Sequence, residues 1–175
     1  MVRVPIRPRE KTGENMDIRL ATLNDAESIA ALNAEVQQVH ADALPHLFKP
    51  PSEETFPASL VRQLLADPHT YIFIASADDA PVGYIYAQIL RRAETSLHYA
   101  WDRFYIHHLS VNQVYQRHGV GQALIQAVVR VAKEHGIATI ALDVWAMNTK
   151  ARAFFAAQGF TVYQETMWLH LSGQE

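Results

Sequence analysis

Residues 114–136, VYQRHGVGQALIQAVVRVAKEHG, run two glycines, Gly119 and Gly121, straight into an apolar-periodic segment. Leu124, Ala127, Val128 and Val131 recur at helical spacing and Gly136 supplies a stop, so the pattern predicts a helix that starts beside the glycines. No conventional capping side chain stands between them and the apolar run. A helix start leaves several backbone N–H groups without partners and carries partial positive charge. Removing side chains there lets an anion reach the amides directly. A tight turn alone accounts for one glycine better than for two. The chemistry these residues suggest is phosphate binding.

Two common phosphate-binding fingerprints do not fit. The dinucleotide pattern needs a third glycine where Leu124 stands, and the Gly-Lys-Ser/Thr of the P-loop is absent. What remains is Gln116-Arg117-His118-Gly119-Val120-Gly121, preceded by the apolar-rich FYIHHLSV (104–111). This hexapeptide fits the Q/R-x-x-G-x-G/A pattern of the GNAT acyl-CoA N-acyltransferase superfamily, which the chain resembles. Three further stretches resemble the same family in the same order. MDIRLATLNDAESIAALN (16–33) is similar to its opening strand and first helix, APVGYIYAQIL (80–90) to its central hairpin strand, and IALDVWAMNTKARAFFAAQGF (140–160) to its strand, Asn-x-x-Ala helix and Gly-Phe ending. The resemblance covers roughly residues 16–171.

The resemblance implies an α/β (α+β) fold: a mixed, mostly antiparallel twisted sheet with helices on both faces and two central strands splayed around an acyl-CoA. It implies acetyl-CoA as cosubstrate and no metal. The pyrophosphate would take backbone amides from about Gln116 through Gly121 (Gln116, Arg117, His118, Gly119, Val120, Gly121), with Arg117 adding charge at the rim. Leu109 and Val111 would meet the pantetheine arm. Asn148, at the start of NTKARAFF, would either cap its helix or reach that arm.

Direct acyl transfer needs a neutral amine, and an alkylamine with a pKa of ~10 must lose a proton to something. Strict strand alternation in RFYIHHLSV puts Tyr105, His107, Leu109 and Val111 on one face and Ile106, His108 and Ser110 on the other. By resemblance, Tyr105 and His107 match positions where the family often places a base, with His107 preferred. An ordinary, partly buried strand histidine is the competing reading for His107 and the favoured one for His108. The chain departs from the family at Phe155, where a tyrosine commonly protonates the departing thiolate. The implied function is transfer of an acetyl group to a primary amine, on a small molecule or a protein. The alternative is a non-catalytic acyl-CoA-binding sensor or structural module.

Composition permits this. The chain has 175 residues, 49% of them hydrophobic and 19% charged, enough for one well-buried domain, expected over 16–175 after an extension at 1–15. The absence of cysteine excludes disulfides, cysteine-ligated zinc and an acyl-cysteine intermediate. A net charge of −3 argues against a general nucleic-acid binder. No apolar stretch approaches a membrane span and the first fifteen residues lack a signal-like apolar core, so a cytoplasmic location is expected.

The elements that would position these residues follow from periodicity. A strand is expected at 17–21. A helix capped by Asn24 follows, presenting Ile29, Leu32, Val36 and Val39 on one face, and a second helix carries Leu60, Leu64 and Leu65. A hairpin at 70–77 and 82–91 leads to a strand at 103–112, the glycine-started helix, a strand at 138–145, a helix at 149–157 and a last strand near 160–171. The last strand, with Met167, Trp168 and Leu169, suggests either a homodimer edge or a packed edge strand.

Overall fold

The computed structural model describes residues 10–11 and 16–171, which belong to two compact units, Met1–Asp143 and Val144–Glu175. In the first unit β1 (Glu10–Lys11), β2 (Met16–Leu20), β3 (Thr70–Ala77), β4 (Ala80–Arg92), β5 (Trp101–Val111) and β6 (Ile140–Leu142) form one sheet in that spatial order. Neighbours are antiparallel except β5 and β6, which run parallel because the helix α3 (Val120–Glu134) carries the chain across between them. Of the expected extension, residues 1–9 and 12–15 lie outside the described residues, and Glu10–Lys11 pair with β2.

Helices α1 (Ala26–Ala43) and α2 (Ala58–Ala66) cover one face of the sheet. Ile29 and Leu32 of α1 and Val61 of α2 share a core with Ile72 and Ile74 of β3 and Tyr84 and Tyr86 of β4. Each fully buried aliphatic side chain there contributes about 2 kcal/mol of transfer free energy. The other face belongs to α3, whose Leu124, Ile125, Val128 and Val131 are buried, and Tyr71 of β3 packs on Phe104 of β5 and bonds His135 at the helix end. The stop expected at Gly136 is present. With φ at +66° it turns the chain so that Ile137 N bonds Ala132 O and Gly136 N bonds Lys133 O.

Several expectations need correction. Helix α1 is not capped by Asn24: a short 3-10 turn, Leu23–Asp25, precedes it, and the Asp25 carboxylate accepts from Thr22 N at 2.7 Å and Thr22 Oγ1 at 2.9 Å. Arg19 forks onto the same carboxylate at 2.8 and 2.7 Å and, as the largest cause, holds its pKa down at about 2. On α1 Val39 is exposed although Ala41 beyond it is buried, and on α2 the buried position is Val61, leaving Leu60 exposed. The strand expected at 138–145 shortens to Ile140–Leu142. Residues 160–171 form no strand. Alternation supplies a two-faced ribbon, but a strand also needs a neighbour to satisfy its N–H and C=O groups.

The correction with most consequence concerns β5. Its register with β4 runs Tyr84↔Ser110, Ile85↔Leu109, Tyr86↔His108 and then Ala87↔Ile106, so His107 is an extra residue with no partner of its own. This bulge breaks the alternation. Cross-strand partners share a face, so Tyr105 (opposite Gln88) lies on the same face as His108 and Ser110, the face covered by α1 and α2. Ile106 and Leu109 fall on the α3 side. The expected partition, with Tyr105 and His107 opposite His108, therefore fails at the bulge.

Candidate active site

Two ends of β5 meet different environments. At its C-terminal end, Asn112 N bonds Val82 O at 2.9 Å, and a 3-10 turn at Gln113–Tyr115 leads into the Gln116–Gly121 segment. Gln116 Nε2 donates to the Val111 carbonyl at 3.1 Å, and His118 Nδ1 donates to the Gln116 carbonyl at 2.9 Å. The first bond ties the loop back onto the strand and the second braces the loop internally. Arg117 (φ +68°) and Gly119 (φ +83°) both take left-handed conformations, the second with open space around the position of a Cβ. Gly119 is the N-cap of α3 and offers no side-chain cap, and the first turn carries no acidic residue. The helix proper begins at Val120, with Gly121 second.

The β5–β6 pairing covers only Phe104–Ile106 against Ile140–Leu142. From His107 through Leu109 to Val111, β5 has no partner strand on its β6 side among the described residues. An extended backbone edge thus leads from the bulge to the bare helix start. This arrangement suits a ligand that carries a strand-like amide arm and a pyrophosphate: the arm would pair with the edge at Leu109 and Val111, and the pyrophosphate would meet the amides from Gln116 to Gly121.

At the bulge, His107 stacks on Tyr86 (ring centroids 4.6 Å apart, planes 17° apart) and meets Tyr105 edge-on at 4.8 Å. Partial burial against these rings lowers the His107 pKa, while the charge of Asp143, just beyond β6, opposes the shift. The shift favours the neutral imidazole, the form able to accept a proton. Burial, followed by a hydrogen bond with Asp143, pushes the Tyr105 hydroxyl up to about 12.

His108 is held differently. Its Nδ1 lies 3.0 Å from Tyr84 Oη, which in turn receives the Asn33 amide at 2.8 Å, and its ring meets Phe56 edge-on at 4.9 Å. Asn33 Nδ2, which can only donate, also lies 3.3 Å from His108 Nδ1, so that nitrogen is an acceptor and the Tyr84 hydroxyl proton points at it. Burial, reinforced by His107 and His40, lowers the His108 pKa to about 4. Ser110 Oγ adds a bond to the Leu32 carbonyl at 2.7 Å, fastening β5 to α1.

Beyond Tyr105, toward the N-terminal end of β5, the Arg103 guanidinium lies 5.1 Å from the Tyr105 ring and 4.9 Å from that of Trp101. Sequence reading missed this row, although alternation of Trp101, Arg103 and Tyr105 was its signal. Asp143 gave no such signal, since its approach to Tyr105 depends on where β6 ends.

In the second unit, Asn148 caps α4 (Thr149–Ala157): its Oδ1 accepts from Ala151 N at 3.0 Å. Phe155 packs on Phe160 at 5.6 Å, and Phe160 N bonds Phe155 O across Gly159, closing the helix. Here Phe155 has a structural role that needs no hydroxyl.

Among the described residues no group of three or more His, Cys, Asp or Glu is placed to hold a metal ion, and no helix is long and apolar enough to cross a membrane.

Comparison with known proteins is consistent with this geometry. The model of the Acetyltransferase (GNAT) family matches residues 36–160. A [Ribosomal protein bS18]-alanine N-acetyltransferase of Escherichia coli K12 is 34% identical over 59 residues, 34% of this chain and 40% of that protein, so the match spans less than half of the curated relative. Among solved structures, a tetramutant of the BH1408 protein from Bacillus halodurans superposes with a TM-score of 0.84 at 22% identity, covering 88% of this chain and 99% of that one. An aminoglycoside N-acetyltransferase, AAC(6')-Iy in complex with CoA, superposes with a TM-score of 0.68 at 22% identity, covering 97% and 100%. At these identities the structural likenesses establish the fold.

Proposed function

The chain belongs to the acetyltransferase (GNAT) family, and from that premise we propose that it transfers an acetyl group from acetyl-CoA directly to a primary amine, with His107 as the base. The observation that carries this reading is the continuity from a histidine on a bulge, along a strand edge without a β6 partner, to an uncapped helix start lined by Gly119 and Gly121. Acetyl-CoA supplies the activated acetyl group and a good thiolate leaving group. The amides from Gln116 to Gly121 and the Arg117 side chain hold its pyrophosphate, and the edge at Leu109 and Val111 orients its amide arm. His107 takes the proton that the amine loses as its nitrogen bonds to the acetyl carbon and the carbon–sulfur bond breaks. Tyr105, with a pKa near 12, keeps its proton and lends its hydroxyl to orientation.

The test is release of CoA thiol on presentation of a diverse amine panel. The parent should turn over at least one amine, and His107→Ala should lower kcat/KM for it by roughly 10²-fold with acetyl-CoA affinity little changed. Tight acetyl-CoA binding with no amine turned over would favour the sensor reading. Full activity of His107→Ala would move the base to solvent.

A further inference from the structure

The row of side chains leading away from His107 carries charge of one sign at each end. Near His107 and Tyr105 stands the Asp143 carboxylate, whose negative charge acts on both. Two stacking steps further out, 4.8 Å from His107 to Tyr105 and 5.1 Å from Tyr105 to Arg103, the charge becomes positive. Arg103 is sandwiched between Tyr105 and Trp101, and Arg92 faces Trp101 across the hairpin. Leu90, Arg91, Arg92, Trp101 and Arg103 line an open groove of about 300 Å³. Arg91 has Asp102 beside it at 3.8 Å, whereas no described carboxylate pairs with Arg92 or Arg103. The alternation of β5 puts Trp101, Arg103 and Tyr105 on the same face, so the groove opens onto the side from which His107 is reached.

We propose that this groove is the acceptor subsite and that it takes an amine bearing an anionic group, a carboxylate or phosphate, a short alkyl chain away from the nitrogen. The inference rests on the acetyltransferase reading above and names its substrate class. Asp143 attracts the ammonium toward His107, and Arg103 and Arg92 receive the anion. A guanidinium stacked between two rings keeps its in-plane donors free for the oxygens of a carboxylate or phosphate, with its orientation already fixed. The same charges disfavour a polycation, whose far ammonium groups would meet two arginines without paired carboxylates. The groove and the cofactor elements lie at opposite ends of β5, so an acceptor and the pyrophosphate would not compete for space.

The experiment compares matched probes that differ only in the anion: L-lysine against cadaverine, and O-phosphoethanolamine against ethanolamine. Binding to the full chain in the presence of CoA is measured by calorimetry, and acetylation by thiol release from acetyl-CoA. In at least one pair the anionic member should bind about tenfold more tightly or better, and Arg103→Gln should bring that pair to parity. Arg103→Lys should retain part of the preference, and Arg92→Gln, at an exposed position, serves if Arg103→Gln does not fold. Equal or tighter binding of cadaverine and ethanolamine, or a preference untouched by both glutamine variants, overturns the subsite. Acetylation of all four amines without preference would leave the acetyltransferase reading standing and remove the subsite. An arginine-dependent preference with no acetylation of any probe or of any amine in the wider panel would keep the subsite and remove the reaction.

Discussion

The His108 network makes stability sensitive to mild acid, by an amount that can be worked from its geometry. His108 Nδ1 accepts the Tyr84 hydroxyl proton at the edge of the α1–sheet core, so protonation must break that bond and charge a largely desolvated ring. Its pKa falls from 6.5 to about 4 on folding. A depressed histidine pKa means that the unfolded chain binds the proton first. The stabilisation is fully present above the unfolded value and is lost as pH falls from 6.5 toward 4. At 1.36 kcal/mol per pKa unit, the loss is about 2 kcal/mol by pH 5 and about 3 kcal/mol once pH is below both values. Asp25, whose pKa is lowered from 3.8 to about 2, works in the same direction but below this window. His40 and His107, also lowered, share the window, so a variant is needed to isolate His108. His108→Asn serves, because its Oδ1 can accept the Tyr84 proton from nearly the same place and does not titrate. Urea unfolding of parent and variant at about pH 7.5 and pH 5 should show the parent losing about 2 kcal/mol more than the variant. Equal losses in the two proteins would mean that His108 is not held neutral, and the assignment of the Tyr84 proton would fall with it.

Two further outcomes are expected. Gly121→Glu, which sets bulk and negative charge at the second residue of α3, should leave the protein folded and weaken acetyl-CoA binding by calorimetry; unchanged affinity would separate the helix start from the cofactor. Gly83→Ala should destabilise the hairpin by roughly 1–3 kcal/mol, since its new Cβ would come within 2.8 Å of the Ser110 carbonyl oxygen and push β4 and β5 apart; a thermal melt that does not move would show that the strands yield freely.

The parts of this molecule that could be read in advance are those governed by local periodicity. The start and stop of α3, the hairpin at 70–77 and 80–92, and the helix at 149–157 follow from apolar spacing and from glycines that only left-handed backbone requires. What escaped depends on a second chain segment. Whether 160–171 forms a strand depends on a neighbour's backbone, which alternation does not report. The capping role of Asp25 depends on Arg19, six residues away and across a turn. The faces of β5 depend on the register with β4, which is set by pairs some twenty residues apart. The two adjacent histidines were visible as chemistry, but the sequence did not reveal that the strand slips between them. That slip turns both rings toward Tyr86, at 4.6 and 5.5 Å.

The same slip separates what the sheet requires from what the site uses. If position 107 were deleted, Ile106 would be followed at once by His108, and every other pairing between β4 and β5 would stand as it does now. A deletion between Trp101 and Ile106 would send Tyr105 or Arg103 through to the opposite side. Position 107 is therefore spare material from the standpoint of folding, free to exchange its side chain without a penalty in register. A lineage of such proteins could gain, replace or discard the residue placed there while inheriting the architecture intact, so that changes in reactivity need not pass through unstable intermediates.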